Sequence, residues 1–134
     1  MITRGTTPYH NFILPVLAEE IAAIYITYCQ NEAVLFEKDL DSEGLTITNI
    51  IDLIDITDNA SMEQLTEEEL NSCQLTIHLT QEDTLLFTFY PAAEKNIATI
   101  NIRLLTTDEE AYASEPIRER VFGVRKEGVI TSGK

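Results

Sequence analysis

Apolar and polar residues alternate repeatedly along this chain, a pattern typical of β-strands that bury one face. The alternation is clearest at residues 97–106, where Ile100, Ile102 and Leu104 alternate with polar side chains. Further strands, alternating or rich in β-branched and aromatic residues, are predicted at residues 9–14, 22–30, 33–38 and 74–79. The chain is therefore expected to be mostly β.

Residues that favour turns separate these segments. Gln30-Asn31-Glu32 predicts a hairpin turn, and residues 80–83 predict a capped turn. The pair Asp108-Glu109 is expected to reverse the chain, so that residues 112–124 return as an antiparallel partner of the preceding strand. Pro116 lies inside that return segment and cannot donate a backbone hydrogen bond, which places the strand at a sheet edge or marks a bulge.

The middle of the chain is less regular. Residues 44–57 are rich in β-branched side chains, but the alternation slips at Ile50-Ile51, which favours a bulge or two short strands. A helix is the alternative, because Ile47, Ile50, Ile51 and Ile54 also have helical spacing.

Residues 59–72 change composition and predict a short amphipathic helix or two turns. Capping-box spacing occurs from Ser61 to Gln64 and from Thr66 to Glu69. The side chains expected to be buried there are Met62, Leu65 and Leu70.

These elements fit one domain over residues 1–134, because a chain of 134 residues can bury a core of its own. About seven short strands with turns every eight to twelve residues predict a single antiparallel β-sandwich. No internal repeat or low-complexity linker divides the sequence.

The formal net charge of −14 changes the picture, because such a surface repels phosphate backbones and anionic membranes. Neither nucleic acid nor a membrane is an expected partner. The charge is also uneven. Residues 31–72 hold twelve acidic residues against one basic residue, Lys38, whereas six of the nine basic residues lie from Arg103 to Lys134. A dipolar molecule of this kind can pack against copies of itself or a basic neighbour, although the acidic stretch can also be a solvated face.

The search for catalytic chemistry yields no site. The two histidines, His10 and His78, both fall on predicted strands and are interpreted as strand residues with satisfied hydrogen bonds. No Gly-x-Ser-x-Gly turn, glycine-rich phosphate loop or zinc-spaced cysteine set is present. We therefore predict no enzyme, no catalytic residue and no cofactor.

Metal and disulfide sites are not predicted either. Asp52, Asp55 and Asp58 recur every third residue and offer oxygens for a weak calcium site, but the loop pattern of a calcium motif is missing, so a solvated face is favoured. Glu67-Glu68-Glu69 is interpreted as a helix-surface run. The two cysteines, Cys29 and Cys73, are expected to be free thiols. The N-terminus lacks the apolar core of a signal peptide, and no segment is long enough to span a membrane.

Several blocks resemble a family of short phage and prophage structural proteins that are often encoded among tail genes. The opening block runs from Thr3-Arg4-Gly5-Thr6-Thr7-Pro8 through His10 and Phe12 to Leu14-Pro15. The other blocks are Ile26-Thr27-Tyr28-Cys29-Gln30, Leu79-Thr80-Gln81-Glu82-Asp83-Thr84-Leu85, Ile102-Arg103-Leu104-Leu105-Thr106-Thr107 and Ala113-Ser114-Glu115-Pro116-Ile117. Residues 39–73 depart from the family pattern and resemble an insertion with a short helix, and Asp108-Glu109 replaces the family's Gly-Gly turn.

The resemblance implies a non-enzymatic virion protein of the tail or baseplate, made in the host bacterial cytoplasm and assembled in multiple copies with itself or other virion proteins. It also implies, by analogy, an immunoglobulin-like sandwich such as those of baseplate modules. Three alternatives stay open. They are a capsid decoration protein, an acidic inhibitor that mimics DNA to occupy a basic protein, and a carbohydrate-binding sandwich, for which the absence of Trp is unfavourable.

Overall fold

The computed structural model describes residues 1–53, 66–124 and 128–130. These residues form a mostly β, sandwich-like fold, as the alternation predicts. The strands are β1 (Ile2–Thr3), β2 (Tyr9–Leu14), β3 (Ile21–Gln30), β4 (Ala33–Asp39), β5 (Leu45–Asn49), β6 (Cys73–His78), β7 (Ile97–Thr106), β8 (Ala111–Ala113) and β9 (Ile117–Phe122). Two short helices, α1 (Glu67–Leu70) and α2 (Gln81–Leu85), and 3-10 turns at Ala18–Glu20, Ile50–Leu53 and Ala93–Lys95 connect them.

The strands form two sheets. The larger has the order β1-β9-β7-β3-β4, and β8 also pairs with β7, on the side that β9 occupies further along the strand. The smaller has the order β2-β6-β5. All described pairs are antiparallel, as predicted, except β1 with β9, which is parallel.

Both sheets contribute to one buried cluster, because each strand turns alternate side chains toward the other sheet. The smaller sheet supplies Leu75 and Ile77, which are fully buried as predicted. The larger sheet supplies the buried residues Ile24, Ile26, Tyr28, Ala98, Ile100, Ile102, Leu104 and Val121. Phe87, from the segment after α2, closes the cluster with no exposed surface.

The hairpin between β3 and β4 lies where the sequence predicts it. Asn31 has φ 52° and Glu32 has φ 67°, so both central residues of the turn are left-handed. This geometry matches the right-handed twist of the flanking strands, but it is unfavourable for a side chain such as Glu.

The predicted continuous return strand over residues 112–124 is wrong. The chain returns as two separate strands, β8 and β9, and both pair with β7. Pro116 lies in the interruption between them, since it has no N–H for the ladder. The predicted sheet edge is confirmed at this point, because β8 pairs only with β7 and β1 pairs with β9 only at Val121 and Phe122.

The segment interpreted as an insertion, residues 39–73, contains a strand of the smaller sheet. β5 ends at Asn49, where the alternation slips, and a 3-10 turn, Ile50–Leu53, follows instead of a second strand or a long helix. Residues 54–57 lie outside the described residues, as do Met62, Leu65 and the predicted cap from Ser61 to Gln64.

The second predicted cap in this segment is present in part. The Thr66 hydroxyl accepts a hydrogen bond from the Glu69 N–H at 3.2 Å, but Glu69 does not complete a capping box. Leu70 was predicted to be buried and is only half-buried. The capped turn at residues 80–83 is confirmed, with a complete capping box between Thr80 and Asp83 at the start of α2.

Candidate functional site

The two histidines lie on strands, as predicted, but their surroundings differ. His10 on β2 is 8% exposed, and its Nδ1 lies 3.0 Å from the Tyr28 hydroxyl. Its Nε2 has no hydrogen-bond partner among the described residues, so the expectation of a satisfied ring is wrong for that atom. His78 on β6 points to the opposite face and stacks on Tyr9, with ring centroids 4.0 Å apart. In the described part of the chain, no Ser, Thr or Cys hydrogen bonds to either ring.

Burial shifts the pKa values of His10 and Tyr28 in opposite directions, because it disfavours the charged form of each side chain. It lowers the pKa of His10 from its ordinary value of 6.5, and the nearby Glu119 carboxylate only partly offsets this. It raises the pKa of the Tyr28 hydroxyl well above its usual range. Both groups are therefore held neutral, which suits a core hydrogen bond better than proton transfer.

The candidate calcium ligands are only partly visible. Asp52 lies in the 3-10 turn after β5, whereas Asp55 and Asp58 lie outside the described residues. Within the described residues, no three His, Cys, Asp or Glu side chains cluster closely enough to hold a metal ion. Glu67-Glu68-Glu69 are all exposed on α1, as predicted for a surface run.

Both cysteines are free thiols, which confirms the prediction. Cys29 on β3 is half-buried, and Cys73 on β6 is fully buried. Burial raises the pKa of Cys73 to about 11, so this thiol is a poor nucleophile near neutral pH.

The feature that most resembles a functional site is the outer edge of β2. β2 is the end strand of the smaller sheet. In an antiparallel ladder, residue pairs that exchange backbone hydrogen bonds alternate with pairs that do not. The Leu79 N–H donates to the Pro8 carbonyl at 3.0 Å, so the hydrogen-bonded positions of β2 are the even-numbered ones. The backbone groups of Tyr9, Asn11 and Ile13 consequently point away from β6, and none of them bonds to another strand among residues 1–53, 66–124 and 128–130.

The side chains on this edge are unusually apolar for an exposed strand. Tyr9 is 64% exposed and Ile13 is 61% exposed. Asn11 lies between them, and its side-chain oxygen accepts a hydrogen bond from the Thr76 hydroxyl at 2.8 Å. Natural proteins usually protect such edges with charges, prolines or covering segments, because an open edge is a template for another strand.

A groove runs beside this edge, between β2 and the segment from β8 to β9. Its first part is a cavity of about 430 Å³ with no charged residue in its lining. Apolar side chains from both sheets line it, namely Phe12, Leu14, Ile102, Leu104, Tyr112 and Ile117. The open side of the sandwich thus exposes part of the space between the sheets.

The groove continues past the end of β2 and becomes acidic. A second cavity, of about 580 Å³, shares Ile13 and Pro15 with the first. Its remaining lining includes Glu67 and Glu68 at the start of α1. We call the two connected cavities, together with the free edge of β2, the β2 groove.

Charge is also polarised across the outer face of the larger sheet. Arg103 on β7, Tyr25 on β3 and Asp39 on β4 lie in one cross-strand row. Arg118 and Arg120 lie on the same face of β9, so the basic side is opposite the acidic β4 edge. Residues 125–126, which extend the basic stretch in sequence, lie outside the described residues.

Comparison with known proteins adds no relative: no family model, curated protein or solved structure matches this chain. None of the helices in the described residues is long and apolar enough to cross a membrane.

The β2 groove was not predicted from the sequence. The available signal was that Tyr9 and Ile13 are apolar on the side of β2 that alternation assigns to solvent.

Proposed function

We propose that this protein is a non-enzymatic structural component that works by binding other proteins, as part of a phage or prophage virion. The observation that carries the binding role is the free β2 edge, with Tyr9 and Ile13 exposed beside an apolar groove. The assignment to a virion tail or baseplate, with several copies per particle, rests on the sequence resemblance.

The physical support is the cost of leaving this surface open. Each large apolar side chain that becomes buried contributes about 1.5–3 kcal/mol, and backbone N–H and C=O groups at an edge gain partners when a strand is added. A strand edge of this kind is therefore expected to be covered in the working assembly.

The test is the composition of particles purified from a host that carries the gene. Mass spectrometry is expected to find the protein in the particles, in more than one copy. The double variant Tyr9→Lys/Ile13→Lys is expected to be left out of particles, because two ammonium groups prevent burial of the edge.

Val34→Lys is the matched control, since Val34 is 64% exposed on β4, at the other sheet. This variant is expected to be incorporated normally. Particles that lack the wild-type protein would contradict a virion role, and normal incorporation of the double variant would contradict the role of the β2 edge.

The alternative of an acidic DNA mimic makes a different prediction. Such a protein competes with DNA for a basic partner, and the competition weakens as salt is added. No competition at low salt against a panel of basic DNA-binding proteins would remove that alternative.

A further inference from the structure

We propose that the β2 groove binds an extended segment of another protein, which adds a strand to β2 and carries Lys or Arg at the end that lies beside Glu67 and Glu68. This inference rests on the proposed function and names the chemistry of the partner. Three features of the groove support it in turn.

The first feature is the direction of the backbone groups. Tyr9, Asn11 and Ile13 turn their N–H and C=O groups outward at every second residue, which is the spacing that a paired strand requires. A bound segment of five or six residues, about 17–20 Å long, matches the length of β2.

The second feature is the apolar lining. Phe12 and Leu14 are on the core side of β2, and Ile102, Leu104 and Ile117 face them across the cavity. A strand beside β2 turns alternate side chains into this space and the others toward the face of Tyr9 and Ile13. The bound segment is therefore expected to have apolar residues at alternate positions.

The third feature is charge. No charged side chain lines the first cavity, but Glu67 and Glu68 line the second, at the Pro15 end of β2. Neither carboxylate has an ion-pair partner among the described residues. A cationic side chain at that end of the segment supplies the complementary charge.

The same charges disfavour a second copy of this chain as the occupant. In a two-fold pairing of β2 with β2, centred on Asn11, the Pro15 end meets the Thr7 end of the other copy, where Glu43 and Glu82 line a cavity with Thr7. Glu67 and Glu68 then gain no cation, and each copy carries a net charge of −14. A basic segment from a different protein avoids both penalties.

The experiment selects peptides from a library of random nine-residue sequences displayed on yeast, with the full-length wild-type protein as the labelled target. Enriched peptides are expected to alternate apolar residues and to carry Lys or Arg near one end. Enrichment of acidic or uncharged peptides, or no enrichment, overturns the inference.

The position of the bound peptide is tested with one enriched peptide made synthetically. Asn11→Pro removes an N–H that points away from β6, so the ladder between β2 and β6 remains, and affinity is expected to fall at least tenfold. Asn11→Ala is the comparison variant, because it loses the same side-chain hydrogen bonds but keeps the N–H, and it is expected to bind at least fivefold more tightly than Asn11→Pro. Equal affinity for both variants overturns strand addition. If Asn11→Pro does not fold, Ile13→Lys replaces it.

Strand addition also has a signature in the peptide itself. N-methylation at alternate positions blocks either the amides that face β2 or those that face solvent. One methylated series is expected to lose binding and the other to keep it. Equal effects of both series contradict an added strand.

The charge is tested by E67K/E68K, which is expected to weaken binding of the basic peptide about fivefold at low salt. E94K is the control, because Glu94 is exposed in the 3-10 turn before β7 and lines neither cavity. An unchanged affinity in E67K/E68K overturns the basic end.

Sedimentation of the wild-type protein and Asn11→Pro separates this inference from the proposed function. If the wild-type protein is a dimer and Asn11→Pro dissociates it, the occupant of the β2 groove is a second copy, and the proposal of a basic partner segment is overturned. The virion role is tested separately, by the composition of the purified particles.

Discussion

The Lys38 ammonium on β4 lies 2.8 Å from the Asp83 carboxylate at the start of α2, and the two side chains are only 15% and 14% exposed. The same carboxylate accepts the Thr80 N–H at 3.0 Å as part of the capping box. One side chain therefore caps a helix and joins it to a strand of the larger sheet.

We expect Asp83→Asn to lower the free energy of unfolding by about 2 kcal/mol, because it leaves the Lys38 charge poorly solvated and without a partner. Lys38→Met is expected to cost less, because the Asp83 carboxylate still accepts the hydrogen bond from the Thr80 N–H. Chemical denaturation of both variants and their combination measures the coupling. Additive effects would contradict a direct interaction.

The pH dependence of this pair has a definite sign. Burial alone raises the pKa of Asp83, but Lys38 and Thr80 outweigh it and hold the pKa below the ordinary value of 3.8. The stabilisation is complete above that value and is lost as the pH falls through the lower folded-state pKa. Acid denaturation of wild type is therefore expected to show a step that Asp83→Asn lacks.

His10 is expected to make the protein less stable in mild acid. Because its folded-state pKa lies below 6.5, the unfolded chain binds the proton first, and the free energy of unfolding falls as the pH drops below 6.5. Denaturation at pH 7.5 and 5.5 measures this slope. His10→Leu is expected to remove it, whereas His78→Gln, at a half-exposed position, is expected to keep it. The same slope in both variants would contradict the assignment.

The turn between β3 and β4 offers a stabilising change. Glu32→Gly is expected to raise the free energy of unfolding by about 0.5–1 kcal/mol, since glycine adopts the φ of 67° without strain. Ala33→Gly, one residue later at the start of β4, is the control and is expected to destabilise by a similar amount. Thermal unfolding of the two variants compares them. Loss of stability in Glu32→Gly would be inconsistent with the left-handed turn.

Thiol labelling is expected to separate the two cysteines. Cys73 has no exposed surface and a pKa of about 11, so at pH 8 it should react only when the protein unfolds. In Cys29→Ser, an aromatic disulfide reagent is expected to release chromophore only after denaturant is added. Rapid reaction in the native variant would contradict the buried position of Cys73.

Most strands could be predicted from the sequence, because alternation is a local consequence of one buried face. Residues 97–106 were predicted with the bounds that β7 has. The return strand was predicted in one piece, since its residues favour β structure on both sides of Pro116. The two-residue strand β1 has no local signal and exists because it pairs with β9.

The β2 groove was harder to predict for a different reason. The sequence indicates that residues 9–14 form a strand, but whether a strand is central or terminal depends on distant residues that pair with it. Tyr9 and Ile13 gave the only local indication, because two apolar residues replaced the polar ones expected on a solvent-facing side. The position of Glu67 and Glu68 beside Pro15 arises only from the packing of α1.

The parallel pairing of β1 with β9 sets the order in which the molecule can fold. Ile2 is fully buried, yet its partner Val121 lies in the last of the described strands, far along the chain from Ile2. The pairing of Ile2 with Val121 therefore closes a long loop, and the entropic cost of closing a loop grows with its length. Closure of the larger sheet is therefore a late event, with a slow rate set by this long-range contact.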